Sequence, residues 1–183
     1  MNIEVEIRAR VDGFNKIKEV LEKIGANFVK SENQTDKIFG AAKFLDSEHK
    51  IIEGGIVARI REANGKSALE FKEILREKGG IELNCPIASI EIGEKMLKKL
   101  DFEESFTIKK NRETYSYNDF KICLDKVEQL GSFVEIEKET TSEREIEETR
   151  KECLNLLEKI VPGAKTENRR YGDLMQELIN QRK

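Results

Sequence analysis

The sequence predicts an α+β fold: a closed, antiparallel, eight-stranded β-barrel with a charged lumen and helices packed on its outside. Three observations predict it. Period-2 alternation of apolar and polar residues returns in about eight separate segments, enough strands to close a barrel. The polar faces of those segments carry like charges two residues apart: Glu4/Glu6, Arg59/Arg61, Lys110/Arg112 and Glu135/Glu137. Apolar stripes at helical spacing, concentrated in the C-terminal third, need a sheet face to pack on.

Ile3 to Arg10 alternates strictly, with Ile3, Val5, Ile7 and Ala9 on one face and Glu4, Glu6, Arg8 and Arg10 on the other. Asp12 is placed to N-cap a helix with the stripe Phe14, Ile17, Leu21 and Ile24, closed by Gly25. Two strands are expected around Asn27–Lys30 and Gln34–Phe39. A long loop from Gly40 to Gly55 follows and carries His49, the single histidine, as a surface residue. In Ile56–Glu62, Arg59 and Arg61 oppose Ile56, Ala58 and Ile60, and Gly65 turns the chain. Glu70 and Lys72 oppose Leu69 and Phe71 in Ser67–Ile74, and Lys78-Gly79-Gly80 forms the next turn. Glu82 and Asn84 share the polar face of Gly80–Cys85, which Pro86 must end or place at an edge.

A short helix spans Ser89–Leu100. Phe106–Tyr117 then puts Lys110, Arg112 and Thr114 together, and Phe120–Val127 puts Lys121, Cys123 and Asp125 opposite Ile122 and Leu124. After Gly131, Glu135 and Glu137 oppose Val134 and Ile136. Ser142 and Glu145 have capping-box spacing ahead of a helix striped by Ile146, Cys153, Leu156, Leu157 and Ile160, stopped at Pro162-Gly163. A last helix covers Tyr171–Asn180.

Charged residues make up 38% of the 183 and apolar residues another 38%; 33 Lys and Arg against 36 Asp and Glu leave a net charge of −3. That balance gives no global attraction to nucleic acid. No apolar run approaches the roughly 18 residues of a membrane span. The opening Met1-Asn2-Ile3-Glu4 runs straight into charged sequence, so no signal peptide is expected. Cys85, Cys123 and Cys153 are far apart and form no CxxC pair, so neither a disulfide framework nor a zinc site is expected, and a reducing, cytoplasmic compartment is. No Pro- or Ser-rich linker, low-complexity tract or repeat divides the chain, so residues 1–183 are expected to form one domain.

Like charges at i and i+2 sit roughly 7 Å apart on a strand and repel unless something compensates. With the helices on the apolar outer face, the charged face turns inward. It brings six acids, Glu4, Glu6, Glu82, Asp125, Glu135 and Glu137, and six bases, Arg8, Arg59, Arg61, Lys72, Lys110 and Arg112. Unpaired buried charge is too costly to keep. A lumen of both signs works if the acids hold hard divalent cations, Mg²⁺ or Mn²⁺, and the bases hold a polyanion such as a polyphosphate.

These segments resemble the CYTH, or triphosphate tunnel metalloenzyme, superfamily, over nearly the whole chain and in family order. Glu4-Val5-Glu6-Ile7-Arg8 resembles the ExExK motif, and Gln34-Thr35-Asp36-Lys37-Ile38-Phe39 resembles QxDxYF. Val57-Ala58-Arg59-Ile60-Arg61, Leu69-Glu70-Phe71-Lys72 and Ile108-Lys109-Lys110-Asn111-Arg112 resemble the basic strands. Leu124-Asp125 with Gly131-Ser132-Phe133-Val134-Glu135-Ile136-Glu137 resembles LDxxxxLGxFxEIE, and Arg170-Tyr171-Gly172-Asp173-Leu174 resembles the SYxxLL tail. The class IV adenylyl cyclases are the most similar branch. Arg8 stands where the motif has Lys, Ile38 where it has an aromatic residue, Asn84 where a second carboxylate is common, and Arg170 where Ser is.

The resemblance implies that Glu4, Glu6, Asp125, Glu135 and Glu137, with Glu82 in support, bind Mg²⁺ or Mn²⁺. Arg8, Arg59, Arg61, Lys72, Lys110 and Arg112 would bind a triphosphate. The implied catalytic set is Glu4, Glu6, Arg8, Asp125, Glu135 and Glu137. The implied reaction is adenylyl cyclisation, ATP to cyclic AMP and pyrophosphate. The alternatives are hydrolysis of tripolyphosphate, thiamine triphosphate or a nucleoside triphosphate, and a non-catalytic polyphosphate- or nucleotide-binding module. The pattern leaves open the base-recognition residues, the roles of Arg169, Arg170 and Tyr171, and the oligomeric state, with which a homodimer is compatible.

Overall fold

The computed structural model describes residues 3–47, 51–74 and 82–182, with the side chains of Glu82 and Glu143 outside that description. His49 and the Lys78-Gly79-Gly80 turn lie outside the described residues. The strands are β1 (Ile3–Val11), β2 (Asn27–Gly40), β3 (Ile56–Ala63), β4 (Lys66–Glu73), β5 (Glu82–Ile87), β6 (Glu103–Tyr117), β7 (Phe120–Val127) and β8 (Gly131–Thr140). The helices are α1 (Asn15–Lys23), α2 (Ile90–Lys99), α3 (Ile146–Ile160) and α4 (Tyr171–Gln181). The strands form one eight-stranded sheet in the order β1-β8-β7-β6-β2-β3-β4-β5. By internal packing the chain resolves into two compact units, Met1–Glu32 with Lys110–Lys183, and Asn33–Lys109. Among the described residues, no helix is long and apolar enough to cross a membrane.

In the first unit the apolar strand faces do what the alternation requires. Val5, Ile7 and Ala9 of β1, Ile122 and Leu124 of β7, and Val134 and Ile136 of β8 are buried together under Ile17 and Leu21 of α1 and Ile146, Cys153, Leu156, Leu157 and Ile160 of α3. After α3 the chain crosses the edge of β1, where Thr166 forms an antiparallel bridge with Ala9 and the Glu167 amide donates to the Arg8 carbonyl at 2.8 Å. It then delivers α4 to the opposite, charged face, so this helix departs from the expectation that all helices pack outside. Tyr171 at its start is buried with its hydroxyl on Asp125.

In the second unit Phe39, Ala41, Ala58, Ile60 and Leu69 pack with Leu97 of α2 and with Phe102. Ser89 caps α2, its hydroxyl accepting from the Ile92 amide at 3.3 Å. The β3–β4 hairpin turns on Asn64-Gly65, both at positive φ (50° and 73°), the conformation that a two-residue Asn-Gly turn supplies. Pro86 lies within β5, which pairs with β4 and, among the described residues, ends the sheet order, so the missing amide is tolerated at an edge.

Three local expectations are corrected. β2 is one continuous strand rather than two, because Lys30 to Gln34 continue the extended backbone. The residue capping α1 is Phe14, with no side-chain hydrogen bond, and not Asp12. Ser142 and Glu145 do not form a capping box. Glu145 instead accepts from the Thr140 hydroxyl at 2.7 Å, and the Ser142 hydroxyl accepts from the Arg144 amide.

Leu97 is fully buried. Leu97→Ala should cost about 2–5 kcal/mol through lost burial and the cavity it leaves, read as a fall in the urea midpoint with unchanged slope.

Candidate active site

The sheet register of the first unit assembles the charged face. Glu6 lies opposite Glu137 and Arg8 opposite Glu135 across β1 and β8. Cys123 lies opposite Glu135 and Lys121 opposite Glu137 across β7 and β8. Arg112 lies opposite Asp125 and Thr114 opposite Cys123 across β6 and β7. Directly opposed residues share a face, so one patch collects Glu4, Glu6, Arg8, Lys110, Arg112, Asp125, Glu135 and Glu137. These are eight of the twelve side chains that the sequence nominates. Arg8, Lys110, Arg112, Asp125, Glu135 and Glu137 are all buried.

Burial of this much charge is tolerated because the charges pair. Arg112 makes a forked contact with Asp125, its Nε donating to Oδ1 at 2.7 Å. The same guanidinium donates to Glu135 and lies 3.5 Å from Glu137. Arg8 donates from Nε to Glu135 at 2.8 Å and also pairs with Glu6. Lys110 lies 3.4 Å from Asp125, and Lys121 pairs with Glu137. Burial alone pulls the guanidinium of Arg112 down and pushes the Glu135 carboxyl up, but their mutual attraction and that of Arg8 win. Arg112 is raised well above, and Glu135 held well below, its ordinary value.

Glu137 goes the other way. Burial dominates and, with a hydrogen bond to the Glu4 carboxylate, pushes it up to about 7 despite Lys121 and Arg112. Glu4 and Glu137 thus face each other as a carboxyl pair. Cys123 stands beside it, its Sγ 3.8 Å from the Glu137 carboxylate, and burial pushes the thiol up to about 12.

Tyr171, to which the sequence pattern gives no role, also sits on this face. Its hydroxyl donates to Asp125 at 3.0 Å. Its ring lies under the Arg8 guanidinium at 4.4 Å and the Lys110 ammonium at 5.1 Å, and packs edge-on against Phe133. Arg8 also donates to the Arg169 carbonyl at 2.6 Å. The Arg169 side chain is exposed and pairs with Glu167 and Glu177, so this residue reaches the patch by its backbone.

The second unit carries its own buried acid–base cluster. Arg61 forks onto both oxygens of Asp36 at 2.7 Å each, and Arg59 forks onto Glu70 while lying 3.5 Å from Asp36. Asn84 donates to Glu70 at 3.1 Å. Lys72 projects from the same face of β4 as Glu70, and Glu82 is its backbone partner on β5. Asp36 and Glu70 are buried counter-ions that sequence reasoning did not nominate. The Gln34–Phe39 strand already alternates Gln34, Asp36 and Ile38 onto one face; only its pairing with β3 sets that face beside Arg59 and Arg61.

Among the described residues, no three His, Cys, Asp or Glu side chains are placed to hold a metal ion. Most of these carboxylates face cations of the protein, Glu137 included, which pairs with Lys121; Glu4 and Glu137 are the two that also face each other. Two carboxylates suit an ion that completes its shell with water and phosphate oxygens rather than with a protein cage.

Tyr171→Phe keeps the ring and removes the hydroxyl on Asp125, so it should cost about 1.5–3 kcal/mol, as for a buried bond to a charged group. Tyr171→Ala, which also strips the ring from under Arg8 and Lys110, should cost more by the same denaturation measurement. A carboxyl raised in the folded state contributes stability fully below its unfolded value near 4.5 and loses that contribution as pH climbs to about 7. Melting of the ligand-free protein should therefore carry a downward component between those pH values, and Glu137→Gln should remove it.

A family model for the CYTH domain matches residues 2–171. A Methanocaldococcus jannaschii protein named "Putative adenylate cyclase" is 33% identical over 163 residues, covering 85% of this chain and 87% of that one. The structure of the PH1012 protein of Pyrococcus horikoshii superposes with a TM-score of 0.76 at 30% identity, covering 92% of this chain and 97% of that one. A Hippeastrum protein whose structure is described as a "putative adenylyl cyclase" with "a dominant triphophatase activity" shares the fold, with a TM-score of 0.67 at 17% identity over 97% of this chain and 96% of that one. With the charged strand faces and the ordered motifs, these matches place the chain in the CYTH family.

Proposed function

We propose that this chain is a divalent-metal-dependent phosphoryl-transfer enzyme acting on a triphosphate, and that the reaction is cyclisation of ATP to cyclic AMP and pyrophosphate. The observation that carries the reading is the buried face of the first unit. There arginine forks and a lysine are held ready by carboxylates, next to the facing carboxyls of Glu4 and Glu137. The name of the Methanocaldococcus jannaschii relative supports the cyclase form. We further propose that residues 1–183 act as one domain whose strands close into the barrel that the alternation predicts, with its lumen as the triphosphate tunnel.

Arg8, Lys110 and Arg112 supply phosphate-binding donors, and Arg59, Arg61 and Lys72 supply more. Glu4 and Glu137, which face each other, are the donors this reading gives to Mg²⁺ or Mn²⁺, with Glu6 beside them on β1. Glu82, Asp125 and Glu135 complete the acid set proposed from sequence. The cation, when bound, would neutralise phosphate charge and favour departure of the leaving group. In the cyclase reaction the ribose 3′ oxygen attacks the α-phosphorus, the bond to the β-phosphate oxygen breaks, pyrophosphate leaves and the hydroxyl proton passes to a base. Arg8 and Arg112, fixed by Glu135, stabilise the negative charge that develops on the departing oxygens. The triphosphatase activity named for the Hippeastrum protein suggests a second reading, in which water attacks the terminal phosphorus, the bond to the bridging oxygen breaks, the diphosphate leaves and the attacked group is released as inorganic phosphate.

Incubation of the pure chain with ATP or tripolyphosphate and Mg²⁺ or Mn²⁺, followed by product identification, separates the two. Cyclic AMP with pyrophosphate supports the cyclase; ADP with phosphate alone replaces it with the triphosphatase. Tight triphosphate binding without turnover under either metal would leave only a binding module. The double variant Glu4→Gln/Glu6→Gln should lower turnover by about 10²–10³-fold. Arg59→Ala should instead weaken triphosphate binding about tenfold, the cost of a charge-assisted hydrogen bond.

A further inference from the structure

Among the cations on the first unit's charged face, Lys121 is held most loosely. Arg8 is fixed by Glu6, Glu135, the Arg169 carbonyl and the ring of Tyr171. Arg112 is fixed by Asp125, Glu135 and Glu137, and Lys110 is buried beside Asp125 and over Tyr171. The Lys121 side chain is 52% exposed, and its ion pair is with Glu137, whose own side chain is 6% exposed. Its neighbours across the sheet are Glu137 on β8 and the uncharged Ser116 on β6. Lys121 is also attracted by the Glu4 carboxylate, and Glu4 and Glu137 face each other. A half-exposed ammonium on a flexible four-carbon stem thus serves the two facing carboxyls.

We propose that Lys121 is a built-in competitor for the divalent cation: its ammonium neutralises Glu137 and Glu4, and swings into solvent to release them to Mg²⁺ or Mn²⁺. This rests on the reading that those two carboxylates hold the cation. Facing carboxyls cannot both ionise without positive charge nearby. Arg112, 3.5 Å from Glu137, is committed to Asp125 and Glu135 and stays in place. Lys121 supplies the rest of the charge, and rotation about its own stem carries its head outward with no change in sheet register. An ammonium and a divalent ion repel strongly at a few ångström where water is scarce, so the two exclude each other. Cation affinity is therefore set by a residue that is not itself a ligand. Removing the ammonium should strengthen binding, the opposite of what loss of a ligand or of a packing contact does.

Mn²⁺ binding to the nucleotide-free full chain, followed by electron paramagnetic resonance of the unbound ion at alkaline pH, tests this. Lys121→Met should bind Mn²⁺ about tenfold more tightly than the wild type, the gain from removing one charge-assisted pair. Added Mn²⁺ should also raise the melting temperature of Lys121→Met by more than that of the wild type. Lys121→Arg, which keeps the charge, should bind no more tightly than the wild type. Lys138→Met, which removes a cation paired with Asp119 and Glu152 instead, should change nothing. Where Lys121→Met does not fold, Lys121→Gln makes the same comparison. Unchanged or weaker Mn²⁺ binding on loss of the Lys121 charge overturns the proposal and leaves the phosphoryl-transfer reading standing. Wild-type Mn²⁺ affinity in both Glu4→Gln and Glu137→Gln would place the cation elsewhere and overturn the metal assignment together with the proposal.

Discussion

Arg112 meets Asp125, Glu135 and Glu137 with one guanidinium, and the rest of the first unit's charged face is arranged around that contact. Burying three carboxylates without it would be prohibitive, since a single uncompensated buried charge costs several kcal/mol. The pairing in turn demands strict register. β6 must present Arg112 opposite Asp125, and β8 must bring Glu135 within reach from beyond β7. A slip of one residue would send every carboxylate to the apolar face under α1 and α3. The same network that allows burial holds the guanidinium groups fixed before any ligand arrives, the condition for electrostatic stabilisation without reorganisation.

The alternation of Ile3–Arg10 was enough to place Glu4, Glu6 and Arg8 on one face, and the like-charged pairs were enough to show that this face is unusual. What the pattern could not reveal was who neutralises whom. Asp36 and Glu70 are ordinary polar-face residues in one dimension. They become counter-ions because strand pairing sets Asp36 across from Arg61, and Glu70 across from Arg59. Tyr171 was harder still. It opens a helix more than forty residues beyond Asp125, and no periodicity links them. The capping expectations at Asp12 and Ser142 failed for a local reason: a side chain of the right type does not choose where the helix begins when tertiary packing fixes the first turn.

The passage from α3 to α4 joins the two faces of the first unit. The chain leaves the apolar side, bridges the rim of β1 at Thr166 and inserts Tyr171 among Arg8, Lys110 and Asp125. Packing energy from Leu174 and Met175, both buried, is thereby tied to the conformation of groups on the charged face. Exposed β-edges invite pairing with other chains, and here the backbone of the tail occupies part of one.

The pairing of Arg8 with Glu135 spans 127 residues of sequence. During synthesis Glu4, Glu6 and Arg8 leave the ribosome well before their partners on β8. Contacts of such separation carry a large loop-closure cost and form late. The amino-terminal strand must therefore wait, half apolar and half charged, while the hairpins of β3–β4 and β6–β7–β8 close by short loops. The bridge of Ala9 to Thr166 spans a still longer stretch, so the last contacts of the charged face join residues far apart in the chain.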